Sequence, residues 1–243
     1  MKAIILAAGK GTRLLLPGDD FPKAMKPLLG KPLLKYVLEA LEFIAPADVN
    51  LVVGYKKEKI LEAFDGQGYN FVLQTEQLGT GHAVKVCEEA LADYDGPVLI
   101  CLGDMPMIRR ETFEKMAALH AEQKNDCTIL TAIMDIDLPY GRIVRDAEGK
   151  FVGVVEQKDC TPEQLGIKER NPSLYVFDSK KLFGVLAQLK NNNAQGEYYL
   201  TDAPALMQQQ GMKLGTYTIH DDDQMRGVNT LEDLAECEAI LRK

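Results

Sequence analysis

The sequence predicts an α/β protein with a mixed, mostly parallel sheet and helices on both faces of that sheet. Short apolar runs alternate with amphipathic runs of helical length through the first half of the chain. This order is typical of a parallel, doubly wound sheet, in which each strand is followed by a crossover helix. The 243 residues suffice for one large core and not for two, so we expect a single domain over residues 1–243.

Periodicity assigns the elements in chain order. In the first half it predicts strands at 2–6, 49–53, 71–73 and 97–102, and helices at 33–44, 56–64, 83–92 and 112–123. In the second half it predicts strands at 126–134, 141–145, 151–156, 173–177 and 213–219, and helices at 179–189, 198–209 and 230–241. We interpret the hairpin around 146–149 and the strand at 173–177 as a small β-rich subregion that forms a second wall of a cleft.

The loop after the first strand has the composition of an anion site. Gly9 and Gly11 allow backbone N–H groups to turn toward an anion, and Lys10 and Arg13 supply positive charge. The spacing matches neither the Walker loop nor the dinucleotide fingerprint. A strand-to-helix turn that is merely basic is the alternative at this stage. Residues 14–22, rich in Pro, Gly and Asp, are predicted to form an exposed, mobile segment.

The charge distribution narrows the range of partners. The net charge is −8, yet residues 1–35 carry seven Lys or Arg against two acidic residues. An acidic chain with one local cationic segment favours a small anionic ligand and argues against nucleic acid or a membrane surface. The five cysteines are scattered and odd in number, which argues against a disulfide framework and favours a cytoplasmic location. No stretch approaches membrane-spanning length.

Two further segments point toward the same cleft. Ligands of open α/β sheets bind beyond the carboxyl ends of the strands, so residues 74–82 and the opening loop would face the same cleft. Asp104 follows the strand at 97–102 directly after a glycine, a suitable place for a metal ligand, although a turn residue is the common alternative. We interpret the acidic run at 221–223 as a solvated loop.

The motifs LAAGKGTR, FPK, GKP, QTEQLGTGHA, LGDMP, YGRIVRD, VVEQKD, GEYYLTD and GVN occur in order along nearly the whole chain. Together they resemble the sugar-1-phosphate nucleotidyltransferases, most closely the uridyltransferase (pyrophosphorylase) domain of the bacterial bifunctional N-acetylglucosamine-1-phosphate uridyltransferases. The resemblance implies a Rossmann-like nucleotidyltransferase fold. It also implies that a sugar 1-phosphate attacks the α-phosphorus of a nucleoside triphosphate and releases pyrophosphate.

The resemblance also implies roles for individual residues. Arg13 and Lys23 match the catalytic, phosphate-binding cations, and Asp104 and Asn229 match the ligands of Mg²⁺, the implied cofactor. The implied nucleotide-binding residues are Leu6, Ala7, Gly9, Gly11, Gln74, Gln77, Gly79 and Thr80. The implied sugar-binding residues are Gly141, Glu156, Asn171, Tyr199 and Thr201.

The chain departs from the family pattern in several places. The chain stops at Lys243 without hexapeptide repeats, so we expect neither an acetyltransferase domain nor the trimerisation it supports. Asn171-Pro172-Ser173 stands where the family has Asn-Thr-Gly, which alters the space beside the sugar. The loop between Arg13 and Lys23 is about three residues longer, and Leu102 replaces the usual tyrosine.

The sequence thus predicts Mg²⁺-dependent transfer of a uridylyl group from UTP to a hexose 1-phosphate. N-acetylglucosamine 1-phosphate is the favoured acceptor and glucose 1-phosphate the next. The alternatives are a thymidylyl or cytidylyl transferase acting on another phosphorylated acceptor, and a non-catalytic protein that binds nucleotide sugars.

Overall fold

The computed structural model describes residues 1–14, 16 and 18–243. Leu15 and Pro17, which belong to the predicted loop over 14–22, lie outside the described residues. Within the described part of the chain, every helix falls short of the length and hydropathy that a membrane crossing requires.

The strands follow the order expected from the apolar runs. They are β1 (Lys2–Leu6), β2 (Pro27–Leu28), β3 (Lys31–Pro32), β4 (Val49–Val53), β5 (Asn70–Leu73), β6 (Pro97–Leu102), β7 (Cys127–Ile133), β8 (Gly141–Arg145), β9 (Phe151–Val155), β10 (Glu169–Asn171), β11 (Tyr175–Asp178) and β12 (Leu214–Ile219).

The α-helices lie between these strands. They are α1 (Leu33–Ala40), α2 (Lys57–Phe64), α3 (Thr80–Lys85), α4 (Arg110–Gln123), α5 (Pro162–Leu165), α6 (Ser179–Leu186), α7 (Ala203–Gln209) and α8 (Leu231–Leu241). Short 3₁₀ turns cover Lys23–Met25, Pro46–Asp48, Glu89–Leu91, Gln157–Asp159 and Leu200–Asp202.

Ten of the described strands form one mixed, mostly parallel sheet, as predicted. The hairpin around 146–149 and the strand at 173–177, expected to form a second wall of the cleft, belong to this same sheet instead. The strand order is β5-β4-β1-β6-β11-β7-β10-β8-β9, and β12 pairs with the other edge of β7. Strands β9, β10 and β11 run against the other seven. Because β11 lies between β6 and β7 and is antiparallel to both, these two strands run in the same direction. The carboxyl ends of β1, β5, β6, β7 and β12 therefore share one edge of the sheet.

The alternation of side chains along β1 shows how the two faces are covered. Ala3 and Ile5 pack in a core with α1, α2 and α4, whereas Ile4 packs in a second core with α3, α6 and α7. Successive strand residues point to opposite faces, so a fully apolar strand is what a sheet covered on both sides requires. The structure confirms the expected arrangement of helices on both faces.

Several predicted boundaries were wrong. The helix predicted at 33–44 ends at Ala40, and the buried Ile44 lies in the turns that follow it. Pro46 disfavours helical backbone at Ala45, so the helix could not have continued past Ile44. The helix predicted at 83–92 begins at Thr80 and is interrupted after Lys85. Strand β10 was not predicted, because three residues are too few to show a period.

The departure at 171–173 has a clear backbone consequence. Ser173 has φ +58°, a left-handed conformation that favours glycine, and it lies where β10 ends and β11 approaches. Its N–H donates to Asn171 Oδ1 at 3.1 Å, and Asn171 Nδ2 donates to the Tyr175 hydroxyl at 2.6 Å. The side chain of Asn171 is thus buried and engaged on both its oxygen and its nitrogen.

Candidate active site

A cleft opens along the carboxyl edge of the sheet, where backbone hydrogen bonds hold the strand ends together. Gly103 N donates to Leu6 O at 2.9 Å, and Gln74 N donates to Val53 O at 2.8 Å. Val228 N donates to Asp104 O at 3.0 Å. These bonds hold five segments that are far apart in sequence at one edge of the sheet.

The cleft has two lobes, which share Arg13, Leu102 and Asp104. The first lobe has a volume of about 430 Å³. All eight residues predicted to bind the nucleotide line it, together with the two predicted catalytic cations. The first lobe also includes Ala8, Thr12, Ala24, Ala83 and Glu197.

The opening loop and Lys23 approach each other closely. Gly11 has φ +67°, and a Cβ at this position would lie 2.5 Å from Lys23 Cβ. Any other residue would therefore be strained in its backbone and would displace the lysine. The glycine expected to admit phosphate thus has a second purpose, which is to leave room for Lys23 beside the loop.

The Lys23 ammonium joins the two predicted metal ligands. It forms an ion pair with Asp104 Oδ2 and donates to Asn229 Oδ1 at 2.8 Å. The side chains of Lys23 and Asp104 are only 14% and 19% exposed, so this contact is shielded from water. Two residues separated by 206 positions, Lys23 and Asn229, meet here.

The donor set fits a magnesium ion. Asp104 Oδ1 is buried and has no hydrogen-bond partner among the residues that the structure describes, which leaves one hard oxygen free for a cation. Among the described residues, no group of three or more His, Cys, Asp or Glu side chains is placed to hold a metal by itself. A cation bound by Asp104 and Asn229 would therefore take its other ligands from phosphate oxygens and water, as Mg²⁺ commonly does at phosphate sites.

The second lobe has a volume of about 520 Å³ and contains the residues expected near the sugar only in part. Glu156 and Asn229 line it, together with Met105, Pro139, Tyr140, Gln157, Lys158 and Gln195. Thr201 stands behind Glu156 and donates to its Oε1 at 2.9 Å. A Cβ at Gly141 would lie 3.7 Å from Glu156 Oε2, so Gly141 adjoins the same carboxylate.

Two of the predicted sugar residues are engaged elsewhere. The Tyr199 hydroxyl donates to Asp159 at 3.2 Å and accepts from Gln195 at 2.9 Å. Asn171 makes the buried contacts described above, with Ser173 and Tyr175. In the described residues, the structure therefore brings Glu156 directly to the cleft and places the other four predicted sugar residues around or behind it.

The Glu156 carboxylate has an unusual environment for an acid. Burial raises its pKa above the ordinary value, the Thr201 hydrogen bond opposes this rise, and the negative charges of Asp202 and Asp159 add to it. The carboxylate therefore accepts a proton more readily than an exposed glutamate. Sequence reasoning assigned this residue only through the family resemblance, because a lone glutamate after a strand carries no signal of its own.

Sequence reasoning missed the environment of Asn229. The Asp233 carboxylate accepts from the backbone N–H groups of Asn229 and Thr230, both at 2.8 Å, and Thr230 Oγ1 accepts from Asp233 N at 3.2 Å. Thr230 and Asp233 thus form a capping box at the start of α8, with aspartate in the position that glutamate usually takes. The same carboxylate that caps α8 also fixes the backbone of a predicted metal ligand.

Replacing Asp233 by alanine is expected to reduce the free energy of unfolding by about 1 kcal/mol, because the N-terminal N–H groups lose their acceptor. Thermal or urea unfolding measures this change. Glu232→Ala is the matched control, since it removes an exposed carboxylate from the same turn without a cap. Equal destabilisation by both variants would show that the helix dipole, and not the cap, is responsible.

Comparison with known proteins identifies the family of the chain. The model of the MobA-like NTP transferase domain matches residues 3–206. The chain is 44% identical over 241 residues to the bifunctional protein GlmU of Streptococcus thermophilus, and 42% identical over 240 residues to that of Streptococcus agalactiae. These matches cover 99% of this chain but only 52% and 51% of those proteins, so the chain spans about half the length of these curated relatives.

The fold also has solved counterparts. A crystal structure of UDP-glucose pyrophosphorylase complexed with UDP-glucose superposes with a TM-score of 0.77 at 19% identity, covering 99% of this chain and 98% of that one. The apo form of a UDP-glucose pyrophosphorylase gives a TM-score of 0.75 at 18% identity, covering 100% of this chain and 98% of that one. At such identities the likeness shows the fold alone, which is the Rossmann-like nucleotidyltransferase fold that the motifs implied.

The fold and the family match define a nucleotidyltransferase. The chain belongs to the MobA-like NTP transferase domain family.

Proposed function

We propose that this protein transfers a uridylyl group from UTP to a hexose 1-phosphate and releases pyrophosphate, with N-acetylglucosamine 1-phosphate as the favoured acceptor and glucose 1-phosphate as the next. The observation that carries the proposal is the junction of the two lobes. There Lys23, Asp104 and Asn229 meet, with one buried carboxylate oxygen unpartnered.

The proposed chemistry requires mainly orientation and charge neutralisation. An oxygen of the sugar 1-phosphate attacks the α-phosphorus, and the bond from that phosphorus to the bridging oxygen of the β-phosphate breaks. Asp104 and Asn229 supply two oxygen ligands for a divalent cation, which when bound neutralises phosphate charge. Lys23 and Arg13 border both the opening loop and this junction, so they are placed to stabilise the reacting phosphoryl group and the departing pyrophosphate.

The first lobe suits a nucleotide base and ribose. Gln74 is buried, and its Nε2 donates to Gly79 O at 3.3 Å, which orients the amide at the end of the cleft. Gln77 Nε2 donates weakly to Gln74 O at 3.4 Å. An amide can both donate and accept, as the edge of uracil demands. Thymine presents the same edge, so dTTP belongs in any test of this proposal.

The second lobe suits a hexose, because Glu156 can accept from two sugar hydroxyls once it is ionised. Acidification is therefore expected to raise the KM for the sugar phosphate, beginning at a pH above the ordinary carboxylate range, since burial raises the pKa of Glu156. Above that raised pKa, the Glu156 carboxylate is ionised and accepts the hydrogen bonds of the sugar hydroxyls. Below it, the protonated carboxyl group accepts these hydrogen bonds less well and the KM rises. Initial rates across the acidic range measure the effect.

Glu156→Gln separates this effect from titration of the sugar phosphate itself, which has a second pKa near 6. The variant is expected to have a raised KM and to lose the part of the pH dependence that belongs to Glu156. Glu148→Gln, in an exposed hairpin turn, is the control. A pH profile unchanged by Glu156→Gln would contradict the role of this carboxylate.

A panel assay tests the function as a whole. Pyrophosphate release is measured for each of ATP, GTP, CTP, UTP and dTTP with several sugar 1-phosphates and Mg²⁺. We expect the highest kcat/KM with UTP and N-acetylglucosamine 1-phosphate. Preference for CTP or dTTP would replace the uridylyl assignment, and nucleotide-sugar binding without release for any pair would favour a non-catalytic binding protein.

We further propose that the protein acts in the cytoplasm on these two small substrates, with neither nucleic acid nor a membrane as partner. Its five cysteines are all unpaired and four of them are buried, as expected in a reducing compartment. The organisation of residues 1–243 as a single domain stays a prediction.

A further inference from the structure

We propose that Tyr140 is a positioning residue, whose hydroxyl group holds together the segments that carry Asp104 and Asn229. It thereby couples the second lobe of the cleft, where the sugar is proposed to bind and which is called the sugar lobe below, to the proposed metal ligands. The inference builds on the function proposed above and adds a residue to its machinery.

The hydroxyl of Tyr140 contacts two segments other than its own. It donates to Met225 O at 2.7 Å and accepts from Gly227 N at 3.0 Å, and it lies 3.2 Å from Met105 Sδ. Met105 directly follows Asp104, and Gly227 comes two residues before Asn229. One oxygen atom therefore touches the neighbours of both predicted metal ligands.

The Tyr140 hydroxyl oxygen is tightly packed. A Cβ added at Gly227 would lie 2.7 Å from the Tyr140 hydroxyl and 2.6 Å from Met105 Sδ. Met225 is fully buried, so its carbonyl depends on the tyrosine for a donor. Burial and the nearby charge of Asp104 raise the pKa of Tyr140, which keeps the hydroxyl protonated and able to donate.

Tyr140 is also part of the sugar lobe. It lines that cavity and immediately precedes Gly141, which adjoins Glu156. Arg142, whose side chain is 1% exposed, donates to Tyr140 O and contacts Asp137 Oδ1 at 3.5 Å. The segment before β8 therefore lines the sugar lobe, and the Tyr140 hydroxyl connects this segment to the two segments that carry the proposed metal ligands.

A second contact joins the same two segments. Ile136 N donates to Asp222 Oδ2 at 3.3 Å, and Arg109 pairs with Asp221 at 3.1 Å. The sequence predicted that the acidic run at 221–223 is a solvated loop. This prediction was wrong in part, because two of the three aspartates bind neighbouring segments. Ile136 and Tyr140 therefore both form hydrogen bonds to the segment that leads to Asn229.

Partners of metal ligands typically change metal affinity or activity by about 10- to 100-fold when removed. Tyr140→Phe keeps the ring and deletes only the hydroxyl. We expect kcat to fall about 10-fold and the Mg²⁺ concentration for half-maximal rate to rise about 10-fold, so that excess Mg²⁺ restores part of the rate. The melting temperature should fall by only a few degrees.

A readout independent of turnover decides the question. Water-proton relaxation enhancement by Mn²⁺–UTP reports the protein-bound complex, and its dissociation constant should rise about 10-fold in Tyr140→Phe. Tyr94→Phe is the matched control. It also deletes a hydroxyl that donates to a backbone carbonyl, that of Pro97 at 3.0 Å, but at the opposite edge of the sheet.

The outcomes are distinct. Metal affinity and Mg²⁺ dependence within twofold of the wild type in Tyr140→Phe, or equal losses in Tyr94→Phe, would overturn the inference. If the wild type binds Mn²⁺–UTP and Tyr140→Phe binds it less tightly, yet no sugar 1-phosphate supports turnover, the positioning role stands and the proposed reaction fails. Failure of the wild type to bind Mn²⁺–UTP would overturn both.

Discussion

Replacing Asp104 by alanine is expected to lower kcat by at least about 10³-fold while leaving the fold intact. The substitution removes the buried oxygen proposed to bind the cation and one of the two partners of Lys23 in one step. Its backbone carbonyl, which accepts from Val228 N, is unchanged, so the strand ends remain joined. Pyrophosphate release at saturating substrate and circular dichroism together measure the effect.

Asp95→Ala is the matched control for this experiment. Asp95 precedes the amino end of β6, whereas Asp104 follows its carboxyl end, and Asp95 pairs with Lys180 on an exposed surface. We expect nearly normal rates from the control. Near-normal turnover in Asp104→Ala would refute the metal assignment, and an unfolded variant would be replaced by Asp104→Asn, which preserves the side-chain shape.

Replacing Lys23 by methionine is expected to reduce kcat by about 10²- to 10³-fold, the usual cost of removing one electrostatic contact to a reacting group. The result should differ from that of Asp104→Ala in metal binding. Because the Lys23 ammonium contacts both predicted metal ligands, its removal frees them, and Mn²⁺–UTP should bind as tightly as before or more tightly.

The control for Lys23→Met is Lys31→Met, which removes an ammonium group that pairs with Glu39 and does not line the cleft; the side chain of Lys31 is 34% exposed. Turnover and relaxation enhancement are measured on the same samples. Weaker Mn²⁺–UTP binding in Lys23→Met, with kcat unchanged, would mean that the lysine only organises the metal ligands and takes no part in the reaction.

The anion site in the opening loop and the metal ligand at Asp104 were predicted from residues that are close together in the sequence. Glycines, cations and a strand-end aspartate lie next to the strands that position them, so their chemistry is visible over a few residues. Asn229 gives no such signal, since its partner Lys23 is 206 residues away in sequence. Only the resemblance to a family assigned it, as it did Glu156.

The sequence predicted that a sheet exists, but it did not predict the direction of each strand or the contacts of individual side chains. Apolar periodicity predicts β11 but cannot show that it runs against both of its neighbours. The two buried contacts of Asn171 likewise follow from the turn at Ser173, whose left-handed backbone no periodic pattern reveals. Tyr140 was missed because its function depends on three segments that meet only in the folded chain.

The proposed uridylyl transfer is tested most directly by ³¹P NMR of UTP and N-acetylglucosamine 1-phosphate with Mg²⁺ and the protein. We expect a diphosphodiester signal of the nucleotide sugar and a pyrophosphate signal to appear in equal amounts, and Asp104→Ala to abolish both. Release of inorganic phosphate instead, or unchanged spectra with every nucleotide and sugar phosphate tried, would contradict the proposal.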